Sequence, residues 1–159
     1  MSDSELPIKI VTTNRRATYD YAIEERIEAG IVLAGTEVKS LRAGKCSIVD
    51  AFARFSGNEA FLEGMTIQAY SHGNRANQPE KRGRKLLLHR REISRLIGSV
   101  TQKGYSLIAM KVYFKGSLVK VELGLGRGKK NYDRRDDIRS ADAKRTIDRA
   151  MKSRGRDVD

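Results

Sequence analysis

Residues 105–125 read YSLIAMKVYFKGSLVKVELGL, two apolar runs of period two on either side of a short glycine-bearing break. In the first, Ile108, Met110, Val112 and Phe114 alternate with Ala109, Lys111 and Tyr113; in the second, Val119, Val121, Leu123 and Leu125 alternate with Lys120, Glu122 and Gly124. Successive side chains of a strand point to opposite faces, so each run predicts a strand with one apolar face. Lys115, Gly116 and Ser117 are few enough to join them as a hairpin, with glycine at the bend.

Just upstream, KLLLHRREISRLIGSVTQKG places Ile93, Leu96, Ile97 and Val100 at i, i+3, i+4 and i+7, the spacing of one buried helix face, and Gly104 ends it. Before that lies SHGNRANQPEKRGR, residues 71–84, which is polar and basic with no period and reads as a mobile exposed loop. Ile48–Phe55 and Ala60–Ile67 flank Ser56, Gly57, Asn58 and Glu59, whose Gly-Asn pair admits the positive φ of a tight turn, so a second hairpin is expected. Phe52, Phe55 and Phe61 read as core residues rather than a base-stacking platform, because aromatics mostly pack inside.

In GIVLAGTEVKSLRAG, Gly30–Gly44, an apolar strand end (Ile31, Val32, Leu33) passes through Gly35 into a short basic helix. Val38 and Leu41 share a face of it, Glu37, Lys39 and Arg42 lie elsewhere on the turn, and Gly44 is the expected C-cap. Further upstream, Tyr19, Tyr21 and Ile23 alternate with Asp20 and Ala22, which favours a strand, with a helix over Ala22–Ala29 as the alternative. Residues 1–13 are mixed, contain Pro7 and show no period, and read as a loose arm. The sum is a mainly β (α+β) fold: a small antiparallel barrel of the oligonucleotide-binding type with two or three short helices, spanning residues 14–126.

Residues 127–159 carry 12 basic and 7 acidic side chains and few apolar ones, too little to fold alone. Ile138, Ala141, Arg145, Ile147, Ala150 and Met151 nevertheless permit a weakly amphipathic helix. The expectation is a basic tail that is disordered when free and becomes helical on an anionic surface.

The whole chain of 159 residues has 32 Lys and Arg against 20 Asp and Glu, a net charge of +12, which favours an anionic polymer as partner, nucleic acid before membrane. No apolar run approaches the roughly 18 residues that span a bilayer, and Met1–Val11 lacks a signal peptide's apolar centre, so a cytoplasmic protein is expected; a monomer is the expectation for its oligomeric state. The lone Cys46 excludes an internal disulfide, and His72 and His89 make no zinc pattern. Metal and cofactor are therefore expected to be absent.

Arg82, Arg84, Lys85, Arg90, Arg91 and Arg95 surround Leu86–Leu88 and His89, a density of cations that suits successive phosphates. His89 either meets a base edge or simply starts the helix. Among the acids Glu24, Glu25 and Glu28, the plain reading is a solvated edge; the sharper one has Glu28 accept hydrogen bonds from base amino groups, which no cation does. A nuclease or RNA-modifying enzyme would need paired carboxylates, a nucleophile beside a base, or a cofactor loop. Glu24 and Glu28 would share a strand face with no partnering His or Lys, and GLGRG at Gly124–Gly128 lacks a Walker lysine, so no enzyme is expected.

NRRATYDYAIEERIEAGIVLAGTEVKSLRAGK, RKLLLHRREISRLIG and GRGKKNYDRRDDI, in this order over about Asn14–Met151, resemble bacterial small protein B. The resemblance implies an oligonucleotide-binding-type barrel that holds the transfer-RNA-like part of transfer-messenger RNA in trans-translation. It also implies a tail that reaches the ribosomal decoding centre and messenger channel. Carried over by position, the RNA-facing residues are Glu28, Lys39, Arg42, Lys85, Leu87 and His89, with the adjoining Arg90 added from the basic cluster; the tail motif falls on Gly128, Lys129, Lys130, Tyr132, Asp133 and Arg135. Tyr19 stands where many members have His, and Arg134 where Lys is common, keeping size or charge. The alternative reading is a basic structural ribosomal or translation-factor protein with the same kind of barrel.

Overall fold

The computed structural model describes residues 6–70, 79–129, 144–147 and 149. In chain order the elements are β1 (Ile8–Thr13), α1 (Ala17–Asp20), β2 (Tyr21–Ile31), α2 (Gly35–Arg42), β3 (Cys46–Ser47), β4 (Phe52–Ser56), β5 (Glu59–Glu63), β6 (Thr66–Ile67), β7 (Arg84–Leu87), α3 (Arg90–Gln102), β8 (Ser106–Lys115) and β9 (Leu118–Gly128). The chain divides into two compact units, Met1–Gly128 and Lys129–Asp159. In the second, residues 144–147 and 149 are helical and exposed.

The first unit is antiparallel throughout. Its main sheet runs β1-β8-β4-β5-β7-β2-β9, and β9 also pairs with β8, so six strands return on themselves as a ring with β1 added on the flank of β8. β3 and β6 form a separate two-stranded ladder. This ring is the expected barrel, and its interior holds Ile27, Ala29 and Ile31 of β2, Leu62 of β5, Leu86 of β7, Val112 and Phe114 of β8, and Val121, Leu123 and Leu125 of β9. Leu41 of α2 and Leu96 of α3 plug into the same core.

The β8–β9 hairpin forms as expected, with Gly116 at φ 62°. The alternation in β8 is not strict, however. The β8–β9 register shifts between Ala109 and Lys111, a bulge that reverses the parity of the strand. Leu107 and Ala109 therefore face the main core with Val112 and Phe114, while Ile108 and Met110 turn outward beneath Ala17 of α1, beside Tyr21 and Ile23. Two further bulges fall between Ile10 and Thr12 in β1 and between Ile23 and Glu25 in β2. Bulges of this kind increase local bend and twist, which lets a small sheet close.

Four other expectations change. Ile8–Thr13, read as part of a loose arm, is an edge strand on β8; Ile8 and Ile10 are exposed and only Val11 packs against the core, so its sequence shows no clean period. Tyr19 belongs to the single turn α1, and the strand begins at Tyr21; the helix over Ala22–Ala29 does not form. Phe52 is 46% exposed and shares its outward face with Arg54, while Ala53 and Phe55 point in; Phe61 also faces outward, half-covered by the Arg54 guanidinium 5.3 Å from its ring. The last residues of the presumed loop 71–84 are anchored: Arg84 is fully buried and starts a strand, β7, that the sequence did not announce.

Gly124 and Gly126, part of the GLGRG stretch, are sheet residues of β9. A Cβ on Gly126 would stand 2.2 Å from the Ala22 carbonyl oxygen, and one on Gly124 2.8 Å from Met110 Sδ. Glycine here lets three strands approach closely, and β9 continues past Gly126 to Gly128.

Candidate nucleic-acid interface

Outward-facing residues of β2, β9 and β8 form a charged ladder on the barrel surface. Glu28 of β2 lies opposite Glu122 of β9, which lies opposite Lys111 of β8; one step along, Lys120 lies opposite Tyr113. Glu122 accepts from Arg26 at 2.9 Å and pairs with Lys111 at 3.6 Å. Glu28 reaches across β9: the Tyr113 hydroxyl donates to its Oε2, and Lys115 Nζ lies 3.3 Å from its Oε1. Burial works to raise the Glu28 pKa, but these two hydrogen bonds and the charges of Lys115 and Lys120 outweigh it and hold the carboxyl below its ordinary value. Burial and the same carboxylate push the Tyr113 phenol up.

Beside Glu28, β2 pairs with β7 at Gly30↔Leu87 and Ile31↔Leu86. A Cβ on Gly30 would come within 3.1 Å of Leu87 Cβ, so the glycine allows β7 to close against β2. β7 alternates in the sheet sense: Arg84 and Leu86 are buried, Lys85 and Leu87 exposed. Leu87, at 54% exposure, is an apolar side chain standing in water. The chain then turns at His89, the N-cap of α3, whose backbone N–H donates to Glu92 Oε1 at 3.2 Å, one half of a capping box.

These elements enclose an open groove of about 1040 Å³ lined by Glu28, Lys85, Leu87, His89, Arg90 and Lys120, among others. Five of the seven candidate RNA residues thus meet in one place. Lys39 and Arg42 do not line it. They lie on α2, Lys39 Nζ 5.4 Å above the Tyr70 ring and the Arg42 guanidinium 5.0 Å above Phe114. Phe114 faces the barrel interior, the opposite side of β8 from Tyr113 and Lys115, so this contact does not bring Arg42 to the Glu28 ladder. A smaller cleft of about 670 Å³, lined by Phe52, Phe55, Ile97 and Tyr105, contains none of the candidates.

The basic cluster around Leu86–Leu88 is smaller than its sequence. Arg84 lies beneath the surface, with Nε 2.7 Å from Glu37 Oε2, Nη1 donating to the carbonyls of Met65 and Arg82, and Nη2 to that of Glu80. Arg82 binds the other oxygen of Glu37, and Arg95 pairs with Glu25 at 2.7 Å. Lys85 keeps a looser contact with Glu59 at 3.5 Å. Among the described residues Arg90 and Arg91 make no ion pair, and both are exposed. Of the acids, Glu24 is exposed while Glu25 and Glu28 are paired across the surface, and no group of three or more His, Cys, Asp or Glu among the described residues is placed to hold a metal ion.

A family model described as SmpB protein matches residues 11–153. The chain belongs to the SmpB protein family. It is 55% identical over 151 residues to the SsrA-binding protein of Pelotomaculum thermopropionicum, covering 95% of this chain and 99% of that protein. It is 52% identical to the SsrA-binding protein of Exiguobacterium sibiricum, covering 92% and 94% of the two, and 51% identical to that of Bacillus subtilis, covering 91% and 92%. A solved structure described as "tmRNA-SmpB: a journey to the center of the bacterial ribosome" is 53% identical, with a TM-score of 0.63 over 76% of this chain and 85% of that one.

Of the tail motif, Gly128 ends β9 opposite Tyr21 and Lys129 follows it; Lys130, Tyr132, Asp133 and Arg135 lie outside the described residues. Sequence reasoning missed Tyr113 and Lys115, the partners of Glu28 at this candidate surface. Both lie two strands from Glu28, and only the pairing of β2 with β9 brings them near it. No helix among the described residues is long and apolar enough to cross a membrane.

Proposed function

We propose that this protein is an RNA-binding adaptor of trans-translation, which binds the transfer-RNA-like part of transfer-messenger RNA (SsrA RNA) and delivers it to stalled ribosomes in the cytoplasm. The observation that carries this reading is the 51–55% identity to SsrA-binding proteins over more than nine tenths of the chain. We read it as a binding protein without a catalytic step, acting as a monomer on its RNA.

Within that role the barrel carries the primary RNA site. In the groove, Lys85 and Arg90 hold phosphates, Glu28 and His89 meet base edges, and Leu87 offers an apolar contact to an unstacked base. Lys39 and Arg42 extend the phosphate track along α2. What supports this division is chemistry: exposed cations neutralise phosphates, whereas a carboxylate accepts from base N–H groups and repels phosphate. The tail, with +5 of the +12 net charge, carries Gly128, Lys129, Lys130, Tyr132, Asp133 and Arg135 to the ribosome, where it senses the empty decoding centre and messenger channel. Helix in the tail is stabilised there because an anionic wall offsets the ordering entropy of about 1 to 2 kcal/mol per residue.

Binding measured against salt tests the reading. The protein should prefer the transfer-RNA-like part of transfer-messenger RNA over unrelated structured RNAs. Arg42→Ala and Lys85→Ala should weaken binding to every RNA and flatten the log-affinity against log-salt slope, by about one unit or less per phosphate contact. Glu28→Ala should leave that slope unchanged and cost roughly 1–3 kcal/mol of discrimination. Equal weakening on all RNAs would reduce Glu28 to a structural role.

A further inference from the structure

Resting on the role proposed for Glu28, we propose that Tyr113 is a positioning residue of the RNA site: its hydroxyl, together with Lys115, fixes the Glu28 carboxylate as an oriented, ionised acceptor for base N–H donors. An ionised carboxylate offers about four lone-pair sites. Tyr113 takes one on Oε2 and Lys115 one on Oε1, which leaves each oxygen with acceptor capacity. A Glu side chain alone on a strand surface turns freely among rotamers, whereas one held at both oxygens by two different groups has a single orientation. Reading a base edge needs that orientation, since a base presents its donors at fixed positions.

The neighbourhood favours this assignment over a plain surface ion pair. Tyr113 is only 6% exposed, so its hydroxyl is committed and its ring does not compete for the ligand. Glu28 lines the open groove along with Lys85, Leu87 and His89, while neither Tyr113 nor Lys115 lines it. Of the other charged groups, from β9 Lys120 supports the ionised form and Glu122, opposite it, is neutralised by Arg26 and by Lys111 of β8; from β7, Lys85 is turned to Glu59; and His89 and Arg90, at the start of α3, line the same groove. A neutral hydroxyl donor supplies direction without adding a cation, so its contribution is separable from phosphate binding by salt dependence.

Tyr113→Phe keeps the ring and removes only the hydroxyl, and thermal unfolding identifies any general loss of fold. In the free protein, a carbon-detected NMR titration of the Glu28 carboxyl should show its midpoint move upward in Tyr113→Phe, and in Lys115→Gln as a second variant. With RNA, Tyr113→Phe should lose about tenfold of the preference for the transfer-RNA-like part of transfer-messenger RNA over another structured RNA, the size of one charge-assisted hydrogen bond. Its salt slope should stay as in the parent, and the acid limb of binding should shift to higher pH with the carboxyl midpoint. An unchanged Glu28 midpoint, or equal weakening on both RNAs, would overturn the proposal and leave Tyr113 a packing residue. Glu28→Gln is the control for the underlying reading: if it keeps full discrimination, base reading by Glu28 itself is wrong, whereas loss in Glu28→Gln with none in Tyr113→Phe refutes only the positioning role.

Discussion

Arg84 and Glu37 show how a single pair ties the molecule together. Glu37 sits in the first turn of α2 at 4% exposure, and its carboxylate receives Arg84, Arg82 and the Ala34 N–H. Burial opposes its charge, but these donors outweigh burial and lower its pKa. Removing the acid while leaving the fully buried Arg84 strands a cation, which typically costs 3–5 kcal/mol. Glu37→Ala should therefore lose about that much in urea unfolding at neutral pH. Because the folded-state pKa lies below the unfolded value of about 4.3, the stabilisation is complete above that pH and is lost as pH falls through the folded pKa. Stability measured from pH 7 downward should fall in that acid window, and Glu37→Gln should be less stable at pH 7 with a flatter acid dependence.

Glycine at the same scale separates strain from tolerance. Gly126→Ala forces a Cβ against the Ala22 backbone, which cannot move without breaking the β2–β9 ladder, whereas nothing lies within 4 Å of a Cβ on Gly128. The first substitution should cost at least about 1–3 kcal/mol in thermal or chemical unfolding and the second close to nothing.

Among elements, β7 matters out of proportion to its four residues. It bridges β5 through three residue pairs and β2 through two, and it is the link that turns a sheet into a ring. Leu86, 2% exposed, anchors it in the core. Leu86→Ala should destabilise by about 2–5 kcal/mol in chemical denaturation, while Phe52→Ala, on the exposed face of β4, should stay within about 0.5 kcal/mol of the parent. α3 was readable from its period because Ile93, Leu96, Ile97 and Val100 lie on one face and a helix repeats locally. β7 was not: RKLL has only two inward positions, Arg84 is one of them, and a charged residue in a basic stretch gives no sign of burial until Glu37 is placed opposite.

Over the whole molecule, the boundary between barrel and tail follows the sheet. β9 pairs with β2 at Ile23↔Gly126, Ala22↔Arg127 and Tyr21↔Gly128. A chain ending after Gly128 should unfold cooperatively at the parent's temperature and keep its RNA preference, whereas one ending after Leu125 loses those pairs and should melt lower. In the tail, the helical residues 144–147 and 149 are exposed, and most helical stability in proteins comes from a packed face rather than from propensity. Amide exchange should be faster there than in the barrel, and binding to the ribosome should slow it.

By itself, the sequence determined the elements whose pattern repeats over short distances: the β8–β9 hairpin, the hairpin around Gly57, the Gly30–Gly44 strand and helix, α3, the net positive charge and the motifs that mark the family. Local periodicity and turn chemistry act between neighbours in the chain, so they are written in consecutive letters. The tertiary structure alone decided the bulge that reverses the parity of β8, the recruitment of β1 and β7, the burial of Arg84 on Glu37 and the grip of Tyr113 on Glu28. Each depends on which strand lies beside which, and a pairing of residues 85 positions apart, as between Glu28 and Tyr113, leaves no mark on the text near either one.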